Sequence, residues 1–301
     1  MHKWYKNYFL LSNIQFSRTQ LQFGWRIVEV RSNFLNQIRC TRLSDIELIA
    51  LDLTAESLSV DSEYQLFRIL PSSLSSKIER SVYNRRRRKL FFVKERIRKA
   101  LAEKLTNNEN YFIVDSMPLE ICKLSRSTRT TICKEDFLTS PSKSYFASQK
   151  LHFYGYKLHA VCSSTGVFTN FELTQAAVHD IHFLKNIKNN FSSCVLIGDK
   201  GYLSAEYQLD LFTSNQIKLE VPMRVNQHDY EKQPYLFRKT RKRIEKLFSQ
   251  LCDQFMIHRN YAKSFDGYKN RILSKITALT VIQMINKLLN RNINNLKSLV
   301  V

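Results

Sequence analysis

The chain has 301 residues, 44% hydrophobic and 12% aromatic, which is enough to build one large core or two ordinary ones and too apolar for a disordered polypeptide. Lys and Arg number 47 against 26 Asp and Glu, a formal net charge of +21. An imbalance of that size points to nucleic acid, with an anionic membrane surface second.

No apolar run approaches the roughly 18 residues needed to span a bilayer. The start, "MHKWYKNYFLLSNIQF", has basic residues before a short apolar patch but no proper signal-peptide core or cleavage site. The six cysteines are scattered with no Cys-x-x-Cys pair, as in a protein with reduced intracellular thiols. His152, His159 and Cys162 lie in an aromatic strand pattern that favours core or surface roles over metal ligation.

In chain order, residues 1–40 are basic and aromatic without clear periodicity. Residues 41–106 read as a helical, basic DNA-binding region. Ser44 with Glu47, and Ser76 with Glu79, have capping-box spacing, and Pro71 separates the pieces. From Arg85 to Leu105, the apolar residues Leu90, Val93, Ile97, Leu101 and Leu105 recur at helical spacing. The remaining faces carry Arg85, Arg86, Arg87, Arg88, Lys89, Lys94, Arg96, Arg98 and Lys99. Such a density of cations fits phosphate contact, although a solvated helix face gives the same pattern.

The pattern changes after "NNEN" (107–110). "YFIVDS" (111–116) reads as a short strand ending on Asp115. A long polar, basic stretch follows, too long for a plain connection, and its Arg126 and Arg129 fit either a DNA grip or a solvated loop. "LHFYGYKLHAV" and "VFTNFELTQA" read as a hairpin, "VHDIHFLKNIKN" as a helix and "VLIGD" as a fourth strand. "SAEYQLDLFTS" is then helical and "IKLEVPM" a fifth strand. "YLFRKTRKRIEKLFSQLCDQF" is a helix with Ile244, Leu247, Phe248, Leu251 and Phe255 on its apolar stripe, and a last helix spans about 271–289. This succession predicts an α/β (α+β) mixed sheet with helices on its faces over residues 107–290, followed by a polar tail, 291–301.

"VLIGDKGY" (195–202) aims a carboxylate out of a buried strand, as a turn residue or as a metal ligand. If the first and fourth strands are parallel neighbours, Asp115 and Asp199 emerge at the same edge, where open α/β sheets bind ligands. Two carboxylates there repel unless a cation or a proton intervenes. Oxygen ligands of this kind suit Mg²⁺ or Mn²⁺. Glu245, beside Ile244 on the late helix, is the candidate third ligand; its alternative is an i, i+4 ion pair with Arg241. Three carboxylates of this kind match two-metal phosphodiester chemistry.

"VDSMP", "GDKGY" and "RKRIEKLFSQL", in that order and behind the basic "NRRRRKL", resemble a DDE transposase of a bacterial insertion sequence, most like insertion-sequence family 982, over roughly residues 42–290. The resemblance implies an RNase H-like fold with Asp115, Asp199 and Glu245 binding two Mg²⁺ (or Mn²⁺) ions. It implies nicking at the element's terminal inverted repeats, then attack of the freed 3′-hydroxyl on target DNA, in a nucleoid-associated cytoplasmic protein acting as a homodimer on DNA and not on a membrane. Two alternatives share the fold: a nuclease without strand transfer, and an inactive DNA-binding remnant. Related groups place Tyr seven residues before the Glu, Arg four before it and Lys seven after. Here those positions hold Arg238, Arg241 and Cys252, so only the Arg fits. Lys200 and Tyr202 read as contacts to the DNA end or as parts of a solvated turn. Arg238 and Arg241 read as phosphate contacts. Asp180 reads as a helix N-cap in preference to a fourth ligand.

Overall fold

A computed structural model describes residues 33–36, 40–107, 109–146, 150–223, 226 and 230–296. Most of the expected N-terminal segment 1–40, and the tail beyond 296, lie outside the described residues. The described residues up to Leu105 join those from Leu251 onward in one compact unit, and Thr106–Gln250 form a second.

The first unit is helical. Helix α1 (Asp45–Ser57) opens on the expected capping box: Glu47 N donates to Ser44 Oγ and Ser44 N to Glu47 Oε2. Helices α2 (Glu63–Ile69), α3 (Ser72–Ser75), α4 (Arg80–Lys89) and α5 (Phe91–Leu105) follow. The second expected capping box does not form. Glu79 is itself the N-cap of α4, and its carboxylate accepts from Ser81 Oγ instead of capping a backbone N–H. The basic stretch is two helices rather than one, because Leu90 ends α4.

The same stretch turns several cations inward. Tyr83, Arg86, Arg87 and Leu90 are spaced i, i+3, i+4, i+7 and form one stripe, with Arg85, Arg88 and Lys89 exposed around it. Arg86 Nη2 bonds Asp45 Oδ1 at 2.6 Å and the Leu43 carbonyl at 2.9 Å. Asp52, fully buried in α1, accepts from Arg87 Nη1, Tyr83 Oη, Lys94 Nζ and Ser274 Oγ, all within 3.1 Å. Its carboxyl is held well below the usual range: burial alone would raise it, and Lys94 and Arg87 overcome that. One turn further along α1 lies a second such acid. Glu56 receives Arg271 Nε at 3.2 Å and Lys275 Nζ at 2.5 Å.

Ser274, Arg271 and Lys275 belong to the last helix, Phe265–Leu288, so these bonds fasten that helix to α1 and α5. This last helix, which the sequence pattern places at the end of a domain 107–290, packs with the N-terminal helices in the first unit.

The second unit is built on one mixed sheet of β1 (Tyr111–Cys122), β2 (Ser142–Phe146), β3 (Leu151–Ser163), β4 (Phe168–Gln175), β5 (Val195–Ile197) and β6 (Lys218–Glu220). The order is β2-β3-β1-β5-β6, with β4 also on β3. β4, β3 and β1 run antiparallel, while β1, β5 and β6 run parallel. An antiparallel trio continued by two parallel strands is the RNase H-like arrangement. One face packs Phe112, Val114, Val161, Leu196 and Tyr202 against Phe183, Leu184 and Leu211. On the helix Tyr235–Asp253, Ile244, Leu247 and Phe248 are buried, and Phe248 meets Phe168 of β4 with ring centroids 6.0 Å apart.

Two expectations about the strands change. β1 does not end at Asp115 but continues seven residues further, paired with β3. β1 tolerates Pro118 because the residue lies where β1 has become an edge strand, and there a missing N–H breaks no ladder. The polar stretch after β1 is pinned to the sheet and contributes β2. The helix expected over 178–189 shrinks to a 3₁₀ turn, Asp180–Phe183, and a single α-turn, Leu184–Ile187.

Replacing Arg86 by Met should cost about 3 kcal/mol of unfolding free energy, because Asp45 then stays buried without its cation. Arg88→Met should change it by less than about 0.5 kcal/mol. Urea denaturation of both variants checks this pair of outcomes.

Candidate active site

The site begins with strand register. β1 and β5 pair in parallel over three residues, Tyr111 with Val195, Phe112 with Leu196 and Ile113 with Ile197. Asp115 and Asp199 each lie two residues beyond the last pair. They therefore leave neighbouring strands at the same level, where strand spacing is about 4.8 Å. Gly198 lets the chain turn there, since a Cβ would sit 3.2 Å from Val114 Cγ1 and 3.3 Å from Tyr202 Cδ2.

Each aspartate has one oxygen fixed by a backbone N–H. Ser116 N donates to Asp115 Oδ1 at 2.8 Å, and Gly201 N to Asp199 Oδ1 at 2.7 Å. Asp199 thus caps the 3₁₀ turn Lys200–Tyr202. The turn reading of "VLIGDKGY" is correct as far as it goes, and it leaves Oδ2 outside that bond. Asp115 carries the clearest electrostatic signature of the unit. Desolvation by burial pushes its carboxyl up to about 7. The Ser116 amide and Arg241 oppose that rise, and the charges of Asp199 and Glu245 add to it.

Glu245 follows the buried Ile244 on its helix and points outward, its side chain 54% exposed. Arg241, one turn earlier, approaches it to 3.6 Å, the i, i+4 pair expected as the alternative role. The helix therefore brings Glu245 within electrostatic range of Asp115 without closing a cage. Among the described residues, no three His, Cys, Asp or Glu side chains converge tightly enough to surround a metal ion.

The other sequence-predicted contacts divide. Lys200 and Arg238 are exposed, and Arg241 is half-buried. Tyr202 is not available to stack on a base, because its ring is fully buried in the core beside Val114 and Leu196. On α4, Arg85, Arg88 and Lys89 face solvent, whereas Arg86 and Arg87 are committed to Asp45, Asp52 and Glu63. Asp180 is not the expected N-cap. His179 Nδ1 takes that role by accepting from Ile181 N. Asp180 instead pairs with Lys157 Nζ at 2.9 Å, and its Oδ2 would lie 3.6 Å from a Cβ on Gly201. A fourth carboxylate thus stands beside Asp199, and its partner Lys157 drew no notice in an aromatic strand pattern.

Residues 107–281 match the family described as Transposase DDE domain, more than half of the 301-residue chain. No curated protein matches. Among solved structures, the Mos1 transposase paired-end complex with left transposon end is similar at 12% identity, covering 88% of this chain and 86% of that one, with a TM-score of 0.23. The family match is decisive: the chain belongs to the transposase DDE domain family, whose members are polynucleotidyl transferases.

The raised carboxyl of Asp115 carries a sign for stability. Its folded value lies above the unfolded value of about 3.9, so its contribution is full below pH 4 and is lost as pH rises towards 7. In metal-free protein, Asp115→Asn should leave stability nearly unchanged below pH 4 and raise it by about 4 kcal/mol at pH 8. Thermal melts of both proteins at the two pH values check this.

Proposed function

We propose that this DDE-domain transposase cuts DNA at the terminal inverted repeats of its own insertion sequence and joins the freed ends to target DNA, as a relative of insertion-sequence family 982. Asp115, Asp199 and Glu245 are the carboxylates that act. The observation carrying this is the shared level of Asp115 and Asp199 past the last β1–β5 pair, inside the matched domain.

The donor set fits a divalent cation. Asp115 is poorly solvated, it feels a neighbouring carboxylate, and Arg241 offsets only part of the charge. Oxygen-only donors select Mg²⁺ or Mn²⁺. Asp115, Asp199 and Glu245 would hold two such ions, which supply Lewis-acid stabilisation and an activated nucleophile when bound. The chain's own cations do the rest. Arg241 beside Glu245, exposed Arg238 one turn before Arg241, and exposed Lys200 next to Asp199 orient the phosphates flanking the cut. Arg85, Arg88 and Lys89 add sequence-independent attraction for the duplex. Cutting two ends in concert calls for at least a homodimer on DNA. A site that acts on DNA, and the absence of any membrane-length apolar helix among the described residues, fit a nucleoid location.

The test is a nicking assay on duplexes carrying the repeats that flank the gene, with Mg²⁺ or with EDTA, followed by a joining assay on pre-cut ends. Wild type should nick at the repeat boundary with Mg²⁺ alone. Asp199→Asn should lose at least about 100-fold, the scale on which one preorganised charge-stabilising group acts. Repeat binding without cleavage in Mg²⁺ would contradict the proposal, and cleavage without joining would reduce the protein to a nuclease.

A further inference from the structure

The stretch between β1 and β3 ends in a feature the catalytic reading does not use. Phe137 and Leu138 are adjacent, large and apolar, and they are 88% and 80% exposed. Exposed apolar residues often sit on loose loops, but here the backbone beneath them is fixed. They lie in a 3₁₀ turn, Phe137–Thr139, capped by Asp136, whose Oδ1 accepts from Leu138 N at 3.0 Å. Gln175 Nε2 donates to the carbonyls of both Phe137 and Leu138 at 3.2 Å. Tyr156 Oη donates to the Thr139 carbonyl at 2.6 Å. Two strands of the sheet thus hold a turn whose two side chains nothing among the described residues covers.

The partner is indicated by charge. Residues 123–150 contain six Lys and Arg against two Asp and Glu, a net +4, on a chain already at +21. Arg126, Arg129 and Lys143 are exposed on this segment. The segment's two acids, Glu135 and Asp136, directly precede the turn, and Asp136 Oδ1 is engaged in capping it. An apolar tip on a segment that still carries a net positive charge fits the wedge that proteins insert between base steps, with Arg126, Arg129 and Lys143 as the phosphate-binding cations.

The position agrees. Gln175 pairs with Tyr156, and Tyr156 with Leu119, four residues past Asp115 on β1. Four residues along a strand and two strands across put the turn roughly 17 Å from Asp115. That is about five base steps at 3.4 Å each.

Resting on the proposed strand cleavage, we infer that the Phe137–Leu138 turn is a DNA wedge that unstacks a base within about half a helical turn of the cut. It acts on the substrate's shape and is separate from the carboxylates that cut.

The experiment uses full-length protein carrying Asp199→Asn, so that no cleavage occurs, and pre-nicked duplexes from the DNA flanking the gene, with 2-aminopurine at successive positions around the nick. Binding should raise 2-aminopurine fluorescence severalfold at one or two positions near the nick. Adding Phe137→Ala and Leu138→Ala should abolish that rise while the melting temperature stays unchanged. Binding with no rise, or a rise that survives both substitutions, overturns the wedge and leaves the proposed function intact. Failure of the parent protein to bind the duplex overturns both. If the substitutions alter only the mass of the DNA-free protein in light scattering, the turn is a contact to a second copy and the wedge is wrong.

Discussion

The short length of β5 governs the catalytic unit. It pairs with β1 for three residues and stops, while β1 continues along β3. From Val114 onward β1 therefore has a bare edge, and Asp115 emerges onto it beside the carboxylate that ends β5. The consequences are electrostatic. Desolvation makes the Asp115 charge costly and Asp199 makes it costlier, so the metal-free protein holds that carboxyl at about 7. A site whose charge its own side chains leave partly unbalanced is suited to take up cations. Arg241 offsets some of it and also engages Glu245.

The helical unit solves a similar problem differently. Asp52 and Glu56 are buried in α1, and each is surrounded by cations and donors from other helices. Those cations come from both ends of the chain, α4 and α5 on one side and Phe265–Leu288 on the other. Such networks add little net stability over a well-packed apolar core, but losing one partner is expensive, so they act on the specificity of the packing. In the sheet unit the charges of Asp115 and Asp199 are only partly offset, which is what the proposed metal binding draws on; in the helical unit balanced acids hold helices together.

Much of this was legible in the sequence. The apolar runs ending in Asp115 and Asp199, the amphipathic helix bearing Glu245 and the Ser44–Glu47 capping box all carry local signals that the structure retains. The failures have a common cause in tertiary context. Arg86, Arg87, Lys94 and Arg98 read as phosphate contacts on an outward face because cations usually point to solvent, and the acids that bury the first three lie in α1, some thirty to forty residues away. Asp52 and Glu56, four apart among the buried Leu, Ile and Ala of α1, were the available signal. Tyr202 looked like a surface residue because it follows a Gly turn, yet the 3₁₀ turn capped by Asp199 rotates it into the core. β1 looked short because its apolar run stops at Asp115, whereas the strand continues to Cys122 by pairing with β3.

The central claim is that Asp115 is a desolvated carboxylate whose charge is left for a metal ion to balance. Carbon-13 NMR titration of the aspartate carboxyls, assigned by comparison with Asp115→Asn, measures it directly. In metal-free protein the Asp115 carboxyl should titrate near 7, and adding Mg²⁺ should drive that midpoint down into the ordinary carboxylate range or below. A midpoint near 4 that Mg²⁺ does not move would contradict the account.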